Sequence, residues 1–216
     1  MTTLLALLTL VTSAVAQTAT ANFTGTGTIS VWNSSDWTTA TPASSLGCLS
    51  PKGKFIAPSS DAACGVFTRL DNYPYTLSTK EGNCTFSDET QERNTESIYG
   101  GTDHAWNCLE PYEANIYDDL YTIDGFPYVF LCSGDVDCYF DARLVPAPGS
   151  SDATSIWPFR WGSQQWGITP GHTMIQLVWN KMAAVQKRGD AVEPAGSRLS
   201  LEHGQAPALR GPKVLG

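Results

Sequence analysis

The sequence predicts a mainly β protein, a single disulfide-stapled antiparallel sandwich or barrel. Three observations carry that prediction. Short alternating or apolar runs recur along the chain, each bounded by Gly, Pro, Asn, Asp or Ser. Thirteen prolines and nineteen glycines supply the punctuation that many short strands need. Six cysteines, an even number, all fall between residues 48 and 138.

Residues 1–16, MTTLLALLTLVTSAVA, open the chain with an uncharged run from Leu4 that ends in Ala14-Val15-Ala16, a small-x-small cleavage pattern. About 12 apolar residues are too few for a bilayer, which takes about 20. The segment is expected to be a cleaved signal peptide, and the mature protein to be secreted and extracellular. Residues 17–188 then form the β-rich domain, long enough to bury a core. Thr24 to Trp32 alternates and is rich in Thr and β-branched residues, so it is the first strand. Lys54–Ile56, Gly65–Thr68, Tyr75–Leu77, Phe126–Cys132 and Cys138–Val145 are further strand candidates. Within them Tyr128 to Cys132 is continuously apolar, as in a strand buried on both faces. His172 to Trp179 fits two periods, since Ile175, Leu177 and Trp179 alternate while Ile175, Val178 and Met182 suit a helix. Met182 to Lys187 allows a short C-terminal helix.

From residue 189 to residue 216 the composition shifts: no aromatic, no cysteine, and much Gly, Ala and Pro. Such a segment buries too little apolar surface to offset its ordering entropy, so it is expected to be a disordered tail. Lys187-Arg188 stands at the junction as a dibasic processing site, which leaves the tail either removed or retained.

Cysteine usage points to an oxidising compartment. The six permit 15 pairings. The sequential set Cys48–Cys64, Cys84–Cys108 and Cys132–Cys138 is preferred because each pair closes a short loop. A zinc site would want CxxC pairs or cysteines grouped with histidines, and neither occurs. Three sequons, at Asn22, Asn33 and Asn83, mark N-glycosylation candidates.

The formal net charge is −8. Residues 81–141 hold fourteen acidic side chains and one basic one, Arg93. Nucleic acid is excluded as a partner, because phosphate contacts come from Lys and Arg. An anionic membrane surface is disfavoured by the same sign, and no later segment is long enough to span. The acidic stretch is either a solvated face or a weak calcium site, with Asp135, Asp137 and Asp141 as candidate ligands and Asp118, Asp119 and Asp124 as a second acidic turn.

Two chemical constellations stand out. Ser155 to Gly167, SIWPFRWGSQQWG, carries Trp157, Trp161 and Trp166 among Pro, Gly and amides. Indoles present flat apolar faces suited to stacking on pyranose rings, with Gln164, Gln165 and Arg160 available for hydroxyls. The alternative is that these rings pin a loop to the sheet. His104, in a Gly-rich turn beside Asp103, has Glu92, Glu96 and Arg93 close in sequence and could serve a small hydrolase, glycosidase- or ribonuclease-like, as general acid or base. No G-x-S-x-G or H-E-x-x-H pattern is present. His172 has no evident partner, and His203 lies in the tail.

The Ala-rich leader, the strand Gly27 to Trp32, Leu46-Gly47-Cys48 answered by Cys64-Gly65, and the Lys187-Arg188 junction together resemble the small secreted cysteine-paired glycoproteins of filamentous fungi. That resemblance implies action at the cell wall or in host contact. The expected function is a binding or interaction protein for cell-wall or surface glycans. The alternatives are a small hydrolase using His104, or a structural or host-interaction protein without a small ligand.

Overall fold

Alternation in GTGTISVW does what a period of two requires: Gly27, Ile29 and Val31 turn inward from β1 (Gly25–Trp32). The computed structural model describes residues 23–69, 76–110, 120–134 and 138–183. Residues 1–16, Asn22, Tyr75, Asp118, Asp119, Asp135, Asp137, Lys187-Arg188 and the 189–216 tail with His203 lie outside them.

The strands that follow are β2 (Ser45–Leu49), β3 (Phe55–Ile56), β4 (Phe67–Arg69), β5 (Leu77–Thr79), β6 (Gly82–Thr85), β7 (Asn107–Leu109) and β8 (Tyr121–Thr122). They continue with β9 (Phe130–Cys132), β10 (Phe140–Ala142), β11 (Ala153–Thr154), β12 (Ile156–Pro158) and β13 (Thr173–Lys181). Two single-turn 3-10 helices, Pro42–Ser44 and Asp61–Ala63, are the helical elements among the described residues. Met182 and Ala183 are not helical, and the rest of the expected terminal helix falls outside the described residues.

The ambiguous segment is a strand. β13 is sandwiched in the sheet, with β1 along one edge from Gly27↔Lys181 to Trp32↔Gln176. Along its other edge it takes β10 at residues 173–175 and β9 at residues 177–178. Ile175 to Trp179 are therefore all buried, which a one-faced helix could not achieve. Gly27 permits this closeness, since a β-carbon there would sit 2.7 Å from the Trp179 ring.

The free edge of β1 is shared by two strands. β4 pairs with its first residues and β2 with its last, with a register shift at Val31/Trp32. From this fork one wing runs β2–β3–β11 and the other β4–β5–β6–β7. Every pairing is antiparallel, and the sheet curls into a half-barrel. Ile29, Phe55, Phe67, Trp106, Leu131, Phe140, Ile175 and Trp179 fill its concave core. Each such side chain, fully buried, contributes about 1.5–3 kcal/mol. A smaller cluster of Trp32, Phe130 and Val178, with Trp37, Phe126 and Tyr128 against it, covers the opposite face. Phe130 and Leu131 thus enter different clusters, as the continuously apolar run requires.

Three disulfides join Cys48–Cys64, Cys84–Cys108 and Cys132–Cys138. The second links residues directly opposite on β6 and β7. No helix among the described residues is long and apolar enough to cross a membrane.

Candidate functional site

β12 delivers the tryptophan-rich segment to the surface in two different ways. Trp157, inside the strand opposite Asp141, is fully buried, and its indole N–H donates to the Glu92 carbonyl at 3.1 Å. It cannot stack on a ligand, so the expectation for Trp157 is corrected: strand pairing turns it into the core. Past the strand, Gly162 and Gln165 exchange backbone hydrogen bonds of 2.9 and 3.1 Å in a tight turn. That register puts Trp161 and Trp166 on either side of the turn's base, 50% and 80% exposed.

This turn is fixed from below. Gln165, expected at a ligand, is instead buried: its Oε1 accepts from the Ile98 N–H at 2.7 Å, and its Nε2 donates to the Arg160 carbonyl at 3.2 Å. The ring of Tyr99 lies on Gly162 so closely that any β-carbon there would run into it. The Tyr99 hydroxyl meets Ser163 Oγ at 3.1 Å and accepts from the Gln164 N–H at 2.9 Å. Those two hydrogen bonds, that to Ser163 first, lower the phenol pKa from its ordinary value. Arg160 Nε binds Asp103 at 2.8 Å. Trp161 and Trp166 are exposed on this anchored loop with Gln164 beside them, and Ile98 and Tyr99 are exposed on the turn that is hydrogen-bonded to it.

Beneath this surface sits a polar centre that sequence reasoning missed. His172, just before β13, has side-chain exposure of 2%, as does Asp141 on β10. Nδ1 of the imidazole lies 2.6 Å from Asp141 Oδ1, and Nε2 lies 2.7 Å from Glu96 Oε2. The Trp157 indole stacks on the ring with centroids 5.9 Å apart. The other Asp141 oxygen accepts from Asn94 Nδ2 at 2.9 Å and from the Thr169 hydroxyl. Thr169 Oγ1 also accepts from Gln165 Nε2 at 3.4 Å, so the centre and the aromatic loop share one hydrogen-bond network. A signal was present in Tyr139-Phe140-Asp141-Ala142, an aspartate inside an apolar strand, because a buried carboxylate demands partners.

The His104 constellation assembles only in part, with Arg93 brought opposite His104 and the Glu92 and Glu96 carboxylates paired elsewhere. His104 Nδ1 is 3.0 Å from the Gln91 carbonyl, and its backbone bridges Arg93. The Glu92 carboxylate pairs with Arg143 at 3.0 Å, and that of Glu96 with His172. Calcium ligation by Asp141 is likewise corrected, since donors occupy both its oxygens. Among the described residues no group of three or more His, Cys, Asp or Glu is placed to hold a metal ion. The other two calcium candidates, Asp135 and Asp137, lie outside those residues. Of the sequons, Asn33 is exposed at the rim of a cleft of about 470 Å³, whereas Asn83 is half-buried in β6.

Comparison with protein-family models, with curated proteins and with solved structures gives no match.

Proposed function

We propose that this is an extracellular glycan-binding protein whose ligand stacks on Trp161 and Trp166. The observation that carries the reading is the 80% exposure of Trp166 on a loop anchored by the buried Gln165. A large apolar ring left in water forgoes the stabilisation its burial would bring, and an anchored loop retains a face for a flat apolar partner. The C–H faces of pyranose rings are such partners. Anchoring also reduces the ordering cost of binding. The predicted signal peptide, the sequons and the three disulfides support an extracellular site of action. A hydrolase built on His104 lacks this support, because the Glu92 carboxylate pairs with Arg143 and the Glu96 carboxylate lies against His172, not against His104.

Co-sedimentation with insoluble chitin, β-glucan and cellulose tests the proposal. Retention on at least one polymer is expected, and Trp166→Ala should abolish it while unfolding within about 0.5 kcal/mol of the parent, as exposed substitutions do. Trp157→Ala should instead lose about 3–5 kcal/mol of stability. No retention on any polymer would overturn the reading and turn the search to a protein partner. Release of soluble sugar would make the protein an enzyme.

A further inference from the structure

Resting on that glycan reading, we infer that the ligand class is cationic: a polysaccharide bearing free 2-amino-2-deoxy sugars, whose protonated amine is received by Glu96. The argument begins with how Glu96 is held. Its side chain is 56% exposed, yet Oε2 is fixed at 2.7 Å from His172 Nε2. The imidazole is itself fixed on the buried Asp141 at 2.6 Å. The carboxylate is therefore oriented from behind, and Oε1 takes no hydrogen bond from a described residue. Such an exposed, preoriented acceptor matches an ammonium donor.

Glu96 also lies on the turn that is hydrogen-bonded to the aromatic loop. Two residues on, the Ile98 N–H donates to Gln165 Oε1 at 2.7 Å, and Gln165 immediately precedes Trp166. The Glu96 turn and the Trp166 loop are thus joined by a partly buried hydrogen bond. A ring stacked on the indole and an amine reaching the carboxylate are compatible demands on one oligosaccharide. Indole faces themselves attract cations.

Charge decides the sign of the ligand. Arg160, the basic residue of the aromatic loop, is bound to Asp103. The whole chain carries −8. That field concentrates cations and repels uronate or sulfated polymers. A neutral glycan would use the indoles and leave Glu96 idle.

The test is calorimetric titration with glucosamine hexamer and N-acetylglucosamine hexamer, at a pH where the amines are protonated. The amino oligomer is expected to bind about fivefold more tightly at low salt, an exposed ion pair's worth, with the advantage vanishing in high salt. Glu96→Gln, which still offers His172 an oxygen, should remove that advantage and leave the acetylated oligomer unchanged. Trp166→Ala should weaken both. Equal affinity of the two oligomers, or no salt dependence of their ratio, would overturn the inference and leave the glycan reading standing. Binding of neither oligomer, together with no retention on any polymer, would overturn both. Preference for a lysine-rich peptide over either sugar would replace the glycan by a protein ligand.

Discussion

His172 and Asp141 form a buried pair, Nδ1 to Oδ1 2.6 Å, that ties the approach to β13 onto β10. Around it the environment is graded: Asp141 is enclosed and fully hydrogen-bonded, whereas Glu96 at the outer end reaches solvent. Removing one member of a buried pair leaves its partner uncompensated, while an exposed member is screened by water. His172→Leu is therefore expected to lose about 3–5 kcal/mol in urea unfolding. Glu96→Gln should lose less than about 1 kcal/mol. The double variant His172→Leu/Asp141→Leu should recover part of the single loss, since no carboxylate is then stranded. Equal losses for His172→Leu and Glu96→Gln would show that the buried half of the centre is not what holds it.

What the sequence made legible here is what depends on near neighbours. The alternation that makes β1 is local, and so are the short loops closed by the three disulfides. Where neighbours come from afar, the local pattern carries no signal. Trp157 and Trp166 are the same residue type nine positions apart, yet one is in the core and the other in water, because only Trp157 sits in a strand opposite Asp141. Gln165 reads as a hydroxyl-binding amide and acts as a buried hub, a role set by Ser97, Ile98 and Thr169. The pair His172–Asp141 spans 31 residues without a motif. β13 was ambiguous because a central strand buried on both faces loses the period of two that marks a one-faced strand.

The disulfides should rank by the loop each closes. Cys84 and Cys108 are 24 residues apart, Cys48 and Cys64 are 16 apart, and Cys132 and Cys138 only 6. In the chain-entropy account a longer loop constrains the unfolded chain more. Replacing Cys84 and Cys108 by Ser is expected to lose about 3.5 kcal/mol, against about 2 kcal/mol for the Cys132/Cys138 double variant. Denaturant midpoints of the three double variants check the order. A larger loss for the shortest loop would mean that native contacts, not loop closure, dominate.

Asp88 gives the acid limb of the stability profile. Its carboxylate accepts from the Thr90 N–H at 2.9 Å, Thr90 Oγ1 at 2.7 Å, Asn107 Nδ2 at 2.9 Å and Gln91 Nε2 at 3.3 Å. Partial burial alone would raise its pKa, but these hydrogen bonds outweigh burial and hold the carboxyl below the ordinary aspartate value of 3.8. With the folded pKa lower than the unfolded one, the unfolded chain binds more protons between the two, so stability rises with pH there. The contribution is complete above the unfolded value and is lost as pH falls through the folded one. Because Asp88 is half-exposed, the contribution is screened to less than about 1 kcal/mol. Asp88→Asn should therefore melt below the parent at about pH 6, with the gap closing as pH falls below the ordinary aspartate value of 3.8. Taking the difference between the two proteins cancels the titration of the other carboxylates. A gap that stays constant down to the lowest pH would mean that the residue acts through shape and not through charge.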